Sequence, residues 1–247
     1  MEGALSCDRV PTTSVASGDL ELECAAIEIL FREDPEEFDR LKTDLPGLGA
    51  LKEWSDGQVK QIVEAAYSAR SCEMEREGRR FMEVWQPRQS AWYGLMDELL
   101  GRPGWASLPC FLAIMGLAPI STRSIARQTF LVPVGSGEAS MIEIAAHETC
   151  HFYFYGSLEG SGRWSRRELN HRKAIWIASE LVVSVLGATP QALEVLGFRM
   201  SNSYAEQIVG MGAPPDLVHR LSNGEIGSLA LFDELVSRIA DRQSGRV

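Results

Sequence analysis

Thirteen residues, Ala174-Ile-Trp-Ile-Ala-Ser-Glu-Leu-Val-Val-Ser-Val-Leu186, form the most apolar helical stretch of the chain and carry a single charge, Glu180. A helix of this composition belongs in an interior. A lone carboxylate in such surroundings must be paired, protonated or bound to a metal ion, because an isolated buried charge is too costly to leave there. The chain therefore needs a core that can enclose the helix and a partner for its acid. Its 247 residues, 45% of them hydrophobic and 23% charged, are ordinary globular usage and suffice for one large core.

A partner is offered upstream by Ile144-Ala-Ala-His147-Glu148-Thr-Cys-His151-Phe-Tyr. Histidines four apart on a helix lie one turn apart on the same face, so both imidazoles reach one ion. Glu148 projects to the side of that pair, where it can hydrogen-bond a water at the ion. The neighbours are mostly uncharged, as a buried metal-bearing helix requires. Cys150 points off the two-histidine face and reads as core.

A zinc site needs a third protein ligand and one open position. No histidine follows His151 until His171, which excludes the metzincin pattern with its third histidine shortly after the motif. The remaining candidates are Glu159, Glu168 and Glu180, with His171 as an outsider. Glu159 follows the motif helix too closely to fold back. Glu168 lies in the basic stretch Arg163 to Lys173, which reads as the solvated start of a helix rather than a receptor for a substrate carboxylate. Glu180, the acid that needs a partner, is the expected ligand.

Around this pair of helices the pattern predicts an α+β fold, mostly helical. Residues 1–18 lack periodicity and are expected to form a disordered tail. Residues 19–104 read as a helical lobe, with a long helix opening after Ser55 and ending at Pro87. Residues 105–247 read as the metal-binding region, packed with the lobe into one domain. There Phe111–Met115 and Thr129–Val134 are short apolar runs expected to be antiparallel strands of a small sheet. Pro133 suits an edge strand. Ser136 or Ser140 is expected to cap the motif helix, and Thr189-Pro190 to open another.

The motif His147-Glu148-x-x-His151, followed by a helical Glu180 in a Trp-x-x-x-Glu setting, resembles the gluzincin branch of the zincin metallopeptidases. The resemblance covers about residues 129 to 186. It implies a zincin-like core, a zinc cofactor and a strand, Thr129 to Val134, that pairs with an extended peptide at the cleft edge. The spacing from His151 to Glu180 is longer than in the thermolysin and aminopeptidase families. Ser179 and Ser184 stand where related enzymes carry Asn and Asp, and no G-x-M-x-N segment is present.

The expected activity is hydrolysis of a peptide or small amide-containing substrate, with Glu148 as general base. Tyr204 is the first candidate to stabilise an oxyanion, followed by His219 and Tyr155. The same two-His-one-carboxylate set also serves iron(II) oxygenases. A catalytically silent binding protein on the same scaffold is the third reading. The net charge of −10 and pI near 5.0 argue against a nucleic-acid partner. No signal or membrane-spanning segment is evident, and five scattered cysteines without a C-x-x-C pair read as reduced thiols, so a cytoplasmic location is expected.

Overall fold

The computed structural model describes residues 11–103, 109–162, 173–201 and 214–243. Among these residues the chain forms strand β1 (Thr12–Ser17), helices α1 (Leu20–Glu33), α2 (Pro35–Asp44) and α3 (Asp56–Leu99), and strands β2 (Cys110–Gly116), β3 (Arg123–Ser124) and β4 (Thr129–Pro133). Helices α4 (Glu138–Gly160), α5 (Lys173–Gly187), α6 (Pro190–Leu196), α7 (Pro215–Ser222) and α8 (Ser228–Gln243) follow. Contacts divide the chain into two compact units. One joins Thr13–Pro87 to Cys110–Glu148; the other joins Arg88–Pro109 to Thr149–Val247.

The first unit contains a four-stranded sheet in the order β1-β2-β4-β3. The expected antiparallel pairing of its two apolar strands is corrected: β2 and β4 are neighbours but parallel, with Leu112 opposite Thr129 and Gly116 opposite Pro133. Two reversals in the connection explain this. After β2 the chain passes beyond the place of β4 and lays down β3, antiparallel to β4, with Arg123 opposite Phe130. It then turns back through Gln128 (φ 53°) into β4. The sheet is therefore mixed. Residues 12–17, placed in the tail by the sequence, form an ordered strand. Thr12 N donates to Pro109 O and Gly18 N to Met115 O, so β1 runs parallel to β2. Polar, weakly alternating residues (Thr-Thr-Ser-Val-Ala-Ser) hid it.

The expected edge strand for Pro133 is corrected: β4 lies between β2 and β3, and the proline is tolerated because β3 is short. Val134 N donates to Gly116 O on the β2 side, and Leu131 N to Thr122 O on the β3 side. Alternation places the nitrogen of Pro133 on the β3 side, past the end of that two-residue strand, where no ladder bond is lost.

Leu22 of α1 packs on Ile114 and Leu131 of the sheet. Asp19 caps α1 by accepting from Leu22 N at 3.0 Å. One turn on, fully buried Glu23 accepts from Leu117 N at 3.0 Å, from Ala118 N, and from the Tyr67 hydroxyl at 2.7 Å. This carboxylate terminates β2 by satisfying two backbone donors that leave the ladder. Gly116 is required beside it, since a Cβ there would stand 2.6 Å from Glu23 Oε2 and meet the Leu131 side chain.

Helix α3 was expected to stop at Pro87, yet it continues to Leu99 with the proline inside. The proline forfeits only the bond to the carbonyl four residues back. Buried Trp85 and Trp92 hold the helix on either side of that break. Trp85 Nε1 donates to Thr13 Oγ1 at 3.0 Å within the first unit, and Trp92 Nε1 to Thr149 Oγ1 at 3.1 Å within the second.

The second unit is helical. Helix α5 packs on α8 and α7. Thr189 caps α6 with Pro190 in its first turn, as expected, and Gly197 ends it in the left-handed conformation. Helix α4 begins at Glu138, so Ser140 falls inside its first turn, and the Gly137 carbonyl accepts from Met141 N. Neither Ser136 nor Ser140 holds the cap position. Among the described residues no single helix is long and apolar enough to cross a membrane.

Candidate metal centre

Helix α4 is enclosed on several faces. Ala145, Ala146, Cys150 and Tyr153 are fully buried. Tyr153 stacks on Tyr93 with ring centroids 6.1 Å apart and donates its hydroxyl to the Tyr93 carbonyl at 3.3 Å. Phe154 meets Phe232 of α8 at 5.6 Å. These contacts fix the rotation of the helix, and its rotation fixes the site. At about 100° per residue, His151 lies about 40° around the helix from His147, so the two histidines share one face. Glu148 flanks that face on one side and Cys150 on the other, each about 80° from its middle. Cys150 is buried there.

Helix α5 brings the third group. Its flanking residues Ile177, Ala178, Leu181 and Val182 are buried, and Glu180 is 3% exposed. Glu180 Oε1 stands 3.4 Å from Nε2 of fully buried His151. His147, His151 and Glu180 each offer one ligand atom, and these atoms all lie within 4.8 Å of one another. The three residues can hold a metal ion. Zinc bound tetrahedrally at about 2.0–2.1 Å sets its ligand atoms about 3.3–3.4 Å apart, and the His151–Glu180 spacing already has that value. A separation near 4.8 Å would have to close by about 1.4 Å on binding. Among the described residues no other group of three or more His, Cys, Asp or Glu has such a geometry.

The other sequence candidates stand apart from this group. Glu159 is exposed near the end of α4. His219 is exposed on α7, with a ring nitrogen 3.1 Å from Asn223 Nδ2. Tyr155 is buried on α4. Glu168, His171 and Tyr204 lie outside the described residues. Ser184, one turn after Glu180, donates to the Glu180 backbone carbonyl at 3.0 Å, and Ser179 likewise donates to Trp176 O. Both hydroxyls are thus directed to the helix backbone.

Two residues that the sequence did not single out bind Glu148. Its carboxylate, in a residue 3% exposed, accepts from the Ser121 hydroxyl at 2.9 Å through Oε1 and from Arg123 Nη1 at 3.1 Å through Oε2. Arg123 is itself mostly buried, with its side chain 14% exposed. An ion pair with a guanidinium compensates the burial of a carboxylate. The only sequence signal was the general requirement that a buried Glu148 find a cation. Nothing in the polar stretch from Pro119 to Arg127 marked Arg123 over its neighbours.

No protein-family model, curated protein or solved structure matches this chain.

Proposed function

We propose that this chain is a metal-dependent hydrolase of the gluzincin kind, with zinc on His147, His151 and Glu180, acting on a small amide. The observation that carries the reading is that His147, His151 and buried Glu180 each bring one ligand atom to within 4.8 Å of the others, with Glu148 flanking the histidine pair on α4. Two His and one Glu with an open fourth position is a catalytic rather than a structural zinc set. Bound there, zinc supplies Lewis acidity that lowers the pKa of water towards neutrality and polarises a carbonyl. Glu148 takes the proton of the attacking water and returns it to the leaving nitrogen. Tyr204, which follows the α5 helix in sequence, is the proposed donor to the oxyanion.

A small amide is favoured over a long extended peptide by the side of β4 that faces β3. An added strand needs unpaired backbone groups along that side. Leu131 N already donates to Thr122 O, and the Ser121 hydroxyl stands over Leu131 O at 2.8 Å. Pro133 has no N–H to offer. Little of β4 is left for a peptide to pair with.

Metal analysis of the purified protein without added metal tests the reading. About one equivalent of zinc is expected in the wild type and little in Glu180→Ala. Removing one of three protein ligands leaves two imidazoles, too few to retain zinc through purification. Iron in place of zinc would redirect the assignment to oxidative chemistry by the same ligand set. Absence of metal from both proteins would sink it.

A further inference from the structure

Glu148 is held at both oxygens by side chains from one short segment, residues 121–123, and that segment is itself unusually well tethered. Its backbone pairs with β4 through Arg123 opposite Phe130, and Thr122 O accepts from Leu131 N at 2.8 Å. Ser121 Oγ lies 2.8 Å from Leu131 O and 2.9 Å from Glu148 Oε1. At the far end of the hairpin, Arg127 Nη1 donates to Asp19, the cap of α1, at 2.7 Å. The segment is thus tied to the sheet, to α1 and to Glu148 within the same compact unit. A loosely held strap would lack these ties. A free glutamate on a helix samples several rotamers, whereas one clamped at each oxygen by donors from a sheet is confined to one.

We propose that Ser121 and Arg123 are positioning residues for Glu148, fixing its carboxylate beside the ligand pair so that it meets a molecule bound at the metal in one geometry. The proposal rests on the hydrolase reading above. It assigns the β3 hairpin a role: the two-residue strand is a mount for two side chains. Ser121 suits Oε1 because its hydroxyl supplies a proton to an oxygen that can only accept. Arg123 suits Oε2 because a guanidinium stays charged and planar. Both act through Glu148, and neither is a catalytic residue in its own right.

A thermodynamic cycle with Glu148 provides the test and does not depend on turnover. The probe is acetohydroxamate, a small bidentate metal ligand whose acidic O–H a neighbouring carboxylate can accept. Its dissociation constant for zinc-loaded protein is measured by calorimetry, with zinc content determined on each sample. Ser121→Ala and Arg123→Ala are each expected to weaken binding by about 10-fold at wild-type zinc content, the scale of one hydrogen bond to a charged group. Arg123→Lys should restore part of the loss. In a Glu148→Gln background, already weakened, neither substitution should add more than about twofold.

Wild-type affinity in both single variants, or full additivity with Glu148→Gln, would overturn the positioning role and leave the hydrolase reading intact. A wild-type protein that takes up no zinc, or holds zinc without binding the hydroxamate, would overturn the hydrolase reading and this proposal with it. Ser121→Ala removes one hydroxyl and nothing else, so it decides the matter even if Arg123→Ala fails to fold.

Discussion

Glu148→Gln is expected to lower amide hydrolysis by about 1,000-fold while zinc stays near one equivalent, within the range usual for loss of a general base. The amide has the shape of the acid and keeps a carbonyl oxygen for Ser121, but it cannot take up a proton. His147, His151 and Glu180 are untouched, so the metal has no reason to leave. Turnover and zinc content measured on the same preparation separate the two roles. An unchanged rate would remove Glu148 from the chemistry. Some thermal stability should be lost as well, because Arg123, with its side chain only 14% exposed, would face an uncharged amide.

The second large effect concerns folding. Glu23→Ala is expected to cost about 3 kcal/mol or more in urea unfolding, since it strands the Leu117 and Ala118 amides and the Tyr67 hydroxyl at a fully buried site. A loss below about 1 kcal/mol would mean that water replaces the carboxylate there. Burial raises the Glu23 pKa above the ordinary 4.5, and the hydrogen bonds from Tyr67, Leu117 and Ala118 only partly oppose it. For an acid raised in the folded state, the favourable contribution is complete below the unfolded value and is lost as pH rises through the folded one. The stability advantage of wild type over Glu23→Gln should therefore shrink as pH rises above the ordinary carboxylate range. An advantage that grows with pH would show the group to be held as a carboxylate throughout.

The difference between these two acids shows what the sequence could convey. Glu180 was legible because it is the single charge in a strongly apolar helix, and Glu148 because the flanking histidines have helical spacing. Glu23 sits in Leu20-Glu-Leu-Glu-Cys, where an acid in the first turn is ordinary, and only the distant end of β2 gives it a purpose. Ser121 and Arg123 were hidden for the same reason. Their partner is more than twenty residues away, and the β3 hairpin that presents them has no periodicity of its own. Helix positions followed from the apolar spacing that begins at Asp19 and from the cap at Thr189. The pairing direction of β2 and β4 did not, because strand composition does not encode which way a neighbour runs. Pro87 misled as a stop signal because the helix continues through it to Leu99.

The parallel alignment of β1 with β2 bears on how the molecule reaches its fold. Strands β2, β3 and β4 lie close together in the chain, so their part of the sheet can close at small entropic cost. Strand β1 is separated from β2 by roughly ninety residues, most of them in α1, α2 and the long α3, and loop closure over such a span is slow. The order of assembly is then β2–β4 first and β1 last, with the open edge of β2 exposed in the interval as a template for other chains. Pulse-labelling hydrogen exchange during refolding should protect the amides of Leu112 and Leu131 before that of Gly18. Protection in the reverse order would place β1 in the folding nucleus.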